Sequence, residues 1–155
     1  MTAIHRMGPV DIQHFDVVGT SPLPTNTIQS GDFVANVGDK AVPANAFTWT
    51  TDLATTQTNF VAAFLGASES RSLPESDARF MRVAVNMDGT YEVDSTSATY
   101  TVGQYVGLAK DTGNNLLSSK VEACTTKARA IGVILEAGTA LTRVKIRLIN
   151  TPFKR

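Results

Sequence analysis

Short runs of strand-forming residues dominate the last third of the chain. These runs cover residues 105–109, 131–136 and 143–149. Sequences that favour turns separate them, Asp-Thr-Gly-Asn-Asn at residues 111–115 and Ala-Gly-Thr at residues 137–139. Apolar residues of the last run recur with a period of two, which is typical of a strand with one buried face. The pattern predicts a compact unit of β-strands joined by tight turns.

The first two thirds of the chain contain further runs of this kind. We predict additional strands at residues 12–17, 33–37, 46–50, 64–68, 80–85 and 91–93. Asp88 and Gly89 lie between the last two of these runs. Because Asp-Gly between two alternating runs is a strong signal for a tight turn, we predict a β-hairpin there.

Residues 52–64 have the pattern of a short helix. Leu53, Phe60 and Phe64 recur at roughly helical spacing, and Asp52 precedes them as a possible N-cap. The threonines of this segment disfavour a helix, because branching at Cβ restricts their rotamers. We predict one short helix inserted into an otherwise all-β chain.

Three segments of the first half resemble three segments of the second half in the same order. The pairs are GDFV at residues 31–34 with GQYV at 103–106, AFLGA at 63–67 with AIGV at 130–133, and RVAVN at 82–86 with KIRLIN at 145–150. This repetition predicts two related β units, residues 28–94 and 95–150, that together form a small β-barrel or sandwich. The alternative is a chance likeness between strand-turn sequences.

Residues 1–27 lack a clean period, and prolines and glycines interrupt them. Apolar side chains are nevertheless frequent in this segment. We predict an extended N-terminal arm that lies on a neighbouring molecule, followed by a single domain at residues 28–155. The alternative is a disordered leader.

Composition and charge narrow the classes of partner. The 155 residues carry 14 basic and 14 acidic side chains, so the net charge is zero and a nucleic-acid partner is not expected. The single cysteine, Cys124, cannot form a disulfide within the chain. The sequence contains no run of about 18 apolar residues, so we expect neither a membrane span nor a signal peptide.

The sequence offers few residues for catalysis or metal binding. Asp111, Thr112 and Gly113 match the short signature of aspartic proteases, but the asparagines that follow favour a turn. His5 and His14 lack the spacing of a zinc site. We expect no catalytic residue, no cofactor and no metal, and we read Cys124 as a passive thiol and the acidic loop around residues 69–77 as solvated.

Three segments carry a resemblance to a known family. VGQYVGLAKD at residues 102–111, RAIGVILEAG at 129–138 and RVKIRL at 143–148 resemble strands of the small capsid decoration, or cement, proteins of tailed bacteriophages and related prophages. The segments at residues 31–34 and 81–93 fit the same pattern. The resemblance covers about residues 28–150, and the N-terminal arm and an inserted segment at residues 50–76 depart from it.

This resemblance implies a structural protein of the virion that is not an enzyme. Such a protein is made in the host cytoplasm, binds the outside of the capsid and stabilises the lattice of the major capsid protein. It implies a homo-oligomer, with a trimer favoured and a dimer possible. The expected contact residues are Ile12, Phe15, Val17, Val18, Trp49, Glu69, Arg71 and Glu75.

Other functions stay open at the level of sequence. One is a different virion component, such as a head fibre, a spike base or a tail subunit. Another is a carbohydrate-binding module, which would need Trp49, Tyr91 and Tyr100 to be exposed and aligned. The third is an aspartic-type protease that uses Asp111.

Overall fold

The computed structural model describes residues 4–7, 12–17, 19–20, 23–24, 28–48, 52–70 and 82–151. Strands predominate in this part of the chain. In chain order they are β1 (Ile4–Met7), β2 (Ile12–Val17), β3 (Gly19–Thr20), β4 (Leu23–Pro24), β5 (Phe33–Val37), β6 (Lys40–Pro43), β7 (Phe64–Ser68), β8 (Arg82–Asn86), β9 (Thr90–Tyr100), β10 (Tyr105–Lys110), β11 (Leu116–Ala123), β12 (Gly132–Ile134) and β13 (Gly138–Leu148). Helix α1 (Leu53–Ala62) lies between β6 and β7.

The strands form two closed barrels of five strands each. The first barrel has the order β2-β6-β5-β7-β8. The second has the order β9-β11-β10-β12-β13 and closes through the pairing of β13 with β9. Strand β1 pairs with β9 outside the barrel, and β3 pairs with β4. The predicted all-β class, with two related strand units and one short inserted helix, is confirmed.

The two barrels share the same strand directions and the same register. Each contains one parallel pair, β2 with β6 and β9 with β11, and the other neighbours are antiparallel. Asp16 lies opposite Lys40 and Arg82, and Asp94 lies opposite Lys120 and Arg143. In both barrels, therefore, one aspartate in the first strand is flanked by a lysine and an arginine in the adjoining strands.

A backbone hydrogen bond is repeated at the entry to the second strand of each unit. Gly31, at φ 91°, donates its N–H to the Ser68 carbonyl oxygen over 2.6 Å. Gly103, at φ 85°, donates to the Ile134 carbonyl oxygen over 2.9 Å. Because L-residues with a side chain rarely adopt this positive φ, glycine suits both turns. The repetition detected in the sequence therefore extends to individual hydrogen bonds.

The structure corrects two details of the repeat. RVAVN at residues 82–86 corresponds in register to RVKIR at 143–147, two residues earlier than predicted. A shift of two residues keeps every side chain on the same face, so the apolar pattern cannot detect it. The first barrel spans residues 12–86 and the second spans 90–148, so the boundary at residues 94 and 95 was wrong.

The N-terminal segment pairs with strands of its own chain. Strand β2, predicted at residues 12–17, pairs with both β6 and β8 and closes the first barrel. Strand β1 pairs with β9 of the second barrel. The described parts of the segment are extended, but the partner strands that we expected on a neighbouring molecule lie within the same chain.

The predicted hairpin at Asp88 and Gly89 is wrong. Strand β8 pairs with β2 and β7, whereas β9 pairs with β1, β11 and β13. Residues 87–89 therefore connect the two barrels and do not fold one strand back onto the other. A local turn signal fixes the bend of the chain, while the partner of each strand depends on long-range packing.

Strands β6 and β11 were missed by sequence reasoning. Strand β11 reads LLSSKVEA, and its serines and lysine obscure the apolar alternation of Leu116 and Val121. The strand predicted at residues 46–50 is replaced, as far as the structure describes it, by a 3-10 turn at Ala44–Ala46 and a single bridge between Thr48 and Asn115.

Helix α1 begins at the predicted cap and packs between the barrels. The Asp52 carboxylate accepts a hydrogen bond from the Thr55 N–H over 2.6 Å, which confirms Asp52 as the N-cap. Phe60 of the helix packs edge-on against Phe47 and tilted against Phe64, at ring distances of 5.1 and 5.6 Å.

Two apolar clusters form the interior. The smaller cluster fills the first barrel and includes Ile28, Leu65 and Met87. The larger cluster fills the second barrel and continues through α1 to the outer face of the first barrel. This continuous packing makes α1 part of the apolar link between the two barrels.

Candidate functional site

The junction between the barrels is held by a buried polar side chain of α1. Gln57 donates from Nε2 to the Leu108 carbonyl oxygen over 2.7 Å. Its Oε1 accepts a hydrogen bond from Arg129 Nε, also over 2.7 Å. Gln57 is buried, and these two bonds fix the helix against β10 and the turn at Lys127–Arg129.

Backbone groups link the barrels at a second place. The Asn45 N–H donates to Ser118 Oγ over 3.0 Å, and the Leu116 N–H donates to the Phe47 carbonyl oxygen over 3.1 Å. Both contacts join the segment after β6 to strand β11. Together with Gln57, they attach the first barrel to one side of the second.

Titratable groups lie beside this junction. Burial raises the pKa of Glu122, and Gln57 and Arg129 oppose that shift. Burial also raises the pKa of the Cys124 thiol. Cys124 is therefore a buried, protonated thiol, which agrees with its reading as a passive residue.

A groove of about 740 Å³ opens at the same junction. Its walls come from α1, the turn at Lys127–Arg129 and the chain after β13. The apolar part is formed by Val61, Ala62, Ala128 and Leu148, and polar groups of Thr58, Asp88, Lys127 and Asn150 surround it. A groove of this composition can accept an apolar side chain of a bound segment.

Asp88 in this groove is already engaged. Its Oδ1 accepts the Gly89 N–H over 2.8 Å and pairs with Arg147 Nη2 over 3.3 Å. The carboxylate therefore has a structural role at the connection between the barrels. The groove was missed by sequence reasoning, because its walls come from segments some 90 residues apart in the chain.

The predicted contact residues that the structure describes lie in different surroundings. Ile12 is 47% exposed at the start of β2, while Phe15 packs against the core of the first barrel. Val17 ends β2. Val18, Trp49, Arg71 and Glu75 lie outside the described residues.

Glu69 is exposed but has a partner in the other barrel. Its Oε1 accepts a hydrogen bond from the Tyr91 hydroxyl over 2.6 Å, and that hydroxyl accepts one from Asn86 Nδ2 over 2.9 Å. Burial and the Glu69 carboxylate both raise the pKa of Tyr91, so the hydroxyl stays protonated. Glu69 thus helps to connect β7 to β9.

The Asp-Thr-Gly triplet forms a turn, as its flanking residues predicted. Asp111 Oδ1 accepts hydrogen bonds from the Gly113 and Asn115 N–H groups, over 2.7 and 3.2 Å. The carboxylate is used by the turn that joins β10 to β11. This geometry gives no support to Asp111 as a protease residue.

Two of the three aromatic residues proposed for carbohydrate binding are buried. Tyr91 and Tyr100 are each 1% exposed, and Trp49 lies outside the described residues. The Tyr100 hydroxyl donates to the Thr96 carbonyl oxygen over 2.6 Å. A row of exposed aromatic rings that includes these two tyrosines is therefore ruled out.

Within the described residues, no three His, Cys, Asp or Glu side chains are grouped so that they could hold a metal ion. No helix in the same part of the chain is long and apolar enough to cross a membrane. Comparisons with protein-family models and with curated protein sequences find no match.

Proposed function

We propose that this protein binds the outside of a bacteriophage capsid and stabilises the lattice of the major capsid protein. One observation carries the proposal. The three segments that resemble capsid decoration proteins, at residues 102–111, 129–138 and 143–148, cover β10, β12 and the second half of β13. These strands are neighbours in the second barrel, in that order. Residues that are separate in the sequence thus form one continuous piece of sheet.

The double barrel suits a protein that holds other subunits together. Buried links through Gln57 and the segment after β6 connect the barrels, so a load on one barrel is transmitted to the other. A homo-oligomer multiplies the number of capsid contacts per particle. Several modest contacts made at once raise the apparent affinity by orders of magnitude.

Two exposed features are the proposed capsid contacts on this chain. One is Ile12, which is apolar and half-exposed at one end of the first barrel. The other is the groove at the barrel junction, whose apolar wall can receive a side chain from the capsid surface. Glu69 is a weaker candidate, because its carboxylate is bonded to Tyr91.

The test is binding to capsid shells of a phage whose genome encodes this chain. Purified protein is mixed with shells stripped of accessory proteins, and bound protein is measured by co-sedimentation and located by cryo-electron microscopy. We expect saturable binding with ordered density on the shell exterior. Absence of binding, or density only at the tail, a fibre or a spike, would overturn the proposal.

Substitutions then identify the contacts. Ile12→Asp tests the barrel end, and Ala62→Trp fills the groove from an exposed position on α1. Val37→Asp is the matched control for Ile12→Asp, since Val37 is also 47% exposed but lies at the hairpin between β5 and β6. We expect weaker binding for the first two variants and unchanged binding for the control.

A further inference from the structure

The repeated architecture allows each face of one barrel to be compared with the same face of the other. Phe33 and Ala67 lie opposite each other in the first barrel, and Tyr105 and Val133 occupy the same two positions in the second. These side chains point away from the barrel interior. Comparison of the two faces shows what covers each of them.

Helix α1 belongs to the apolar cluster that buries this face of the first barrel, and it also lies against β10 of the second barrel. Phe33 and Ala67 are fully buried in the cluster that contains the helix, and the Phe33 ring lies 6.2 Å from the Phe64 ring. The helix is inserted between β6 and β7. The corresponding connection of the second barrel, between β11 and β12, contains only the three-residue turn Lys127–Arg129.

The same face of the second barrel is only partly covered, with Gln57 of α1 over Gly107 of β10. Tyr105 and Val133 are only half-buried. Leu135 and Val102 are 37% and 66% exposed, and they flank the hydrogen bond from Gly103 to Ile134. We call these four residues, Val102, Tyr105, Val133 and Leu135, the outer apolar patch.

Charged residues of both signs border the outer apolar patch. Arg147 lies opposite Val133, and the Leu135 N–H donates to the Lys145 carbonyl oxygen. Lys145 Nζ pairs with Glu136 over 2.6 Å, and Arg143 Nη1 pairs with Asp94 over 2.8 Å. These pairs are partly exposed, so exchanging an in-chain partner for one on another molecule costs little.

We propose that the outer apolar patch is the contact of a twofold homodimer, in which each copy covers the patch of the other. A twofold contact joins identical surfaces, so the surface must complement itself. An apolar centre meets this requirement. A border with alternating charges also meets it, because the twofold rotation can place a lysine or arginine of one copy opposite an acidic residue of the other. The second copy supplies the cover that the outer apolar patch lacks within the chain.

This inference extends the homo-oligomer in the proposed function, but its test needs no capsid. The mass of the full-length protein is measured in solution by light scattering and by analytical ultracentrifugation. We expect the wild type to have the mass of two chains. Val102→Glu and Leu135→Glu should each reduce it to one chain, because exposed positions accept a charge without unfolding but a twofold contact places two such charges close together.

Val37→Glu is the control, since it adds the same charge to an exposed valine of the first barrel. It should leave the dimer intact, and circular dichroism should show that every variant is folded. A monomeric or trimeric wild type, or a dimer that survives both patch substitutions, would overturn the proposal. Capsid binding is assayed separately. A negative result for the dimer therefore does not contradict the capsid proposal, and a negative result for capsid binding does not contradict the dimer.

Discussion

Gly66 and Gly132 occupy equivalent positions in the two barrels. Each lies close to the carbonyl group at the equivalent position of its neighbouring strand. A Cβ on Gly66 would collide with the Asn86 carbonyl oxygen, and a Cβ on Gly132 would lie 2.9 Å from the Arg147 carbonyl oxygen. Asn86 and Arg147 are themselves equivalent in register. The close approach of two strands is therefore a repeated feature that requires glycine in both halves.

Gly66→Ala should destabilise the protein strongly, by about 3 kcal/mol or more, because the new Cβ meets backbone and φ is +146°. Gly132→Ala should cost about 1 to 3 kcal/mol. Gly113→Ala is the control, since its Cβ would be 3.4 Å from Asp111 Oδ1, an ordinary contact. Urea denaturation measures all three, and equal stability of the Gly66 and Gly113 variants would contradict the repeated close approach.

Gln57→Ala should weaken the junction between the barrels. The substitution removes the side chain that bonds the Leu108 carbonyl and Arg129, and leaving buried polar groups without partners costs about 2 kcal/mol. Thr58→Ala on the exposed side of α1 is the control and should stay within about 0.5 kcal/mol of wild type. If both variants unfold at the same urea concentration, the junction does not depend on Gln57.

Truncation at two points separates the roles of the N-terminal strands. Removal of residues 1–27 deletes β2, which pairs with β6 and β8 and closes the first barrel, so we expect loss of cooperative unfolding for that barrel. Removal of residues 1–11 deletes β1 and keeps both barrels closed. Circular dichroism and limited proteolysis distinguish the two products, and a wild-type unfolding curve for the longer deletion would show that β2 is dispensable.

Glu122→Gln should change the dependence of stability on pH. Burial raises the pKa of Glu122, so the folded chain binds this proton more tightly than the unfolded chain does. The stability that the protonated carboxyl contributes is fully present at pH values below the pKa of Glu122 in the unfolded chain. It is lost as pH rises through the pKa of Glu122 in the folded chain. A glutamine side chain does not titrate. The unfolding free energy of the variant should therefore rise relative to that of wild type as pH rises through this window.

The effect of Glu122 should be small, because the carboxylate is partly exposed and solvent screens it. The measurement is the difference in unfolding free energy between variant and wild type at several pH values. Asp32, whose pKa burial also raises, titrates in both proteins and cancels in this difference. A difference that does not vary with pH would show that Glu122 does not contribute in this way.

Much of the local structure could be predicted because it depends on neighbouring residues. Alternation of apolar residues located the strand at residues 12–17, and Asp52 marked the beginning of α1. Repetition of short segments revealed two related units. The strand and cap signals act over fewer than a dozen residues, a range in which the geometry of the chain itself sets the pattern.

The groove and the outer apolar patch could not be predicted, because strands distant in the sequence create them. The groove combines α1 with the chain after β13, and the patch combines β10 with β12 and the residues next to them. Sequence comparison of the halves detects the insertion but not the surface that it covers.

The sequence by itself determined the β class, the short capped helix and the repetition of the chain. Only the tertiary structure decided that β2 closes the first barrel, that Asp88 and Gly89 connect two barrels, and that the repeat is offset by two residues from the predicted register. The physical reason is that a period of two fixes which face of a strand is buried. The period of two does not specify which strand pairs with its edge or which element packs on its face. Both depend on the packing of the whole chain.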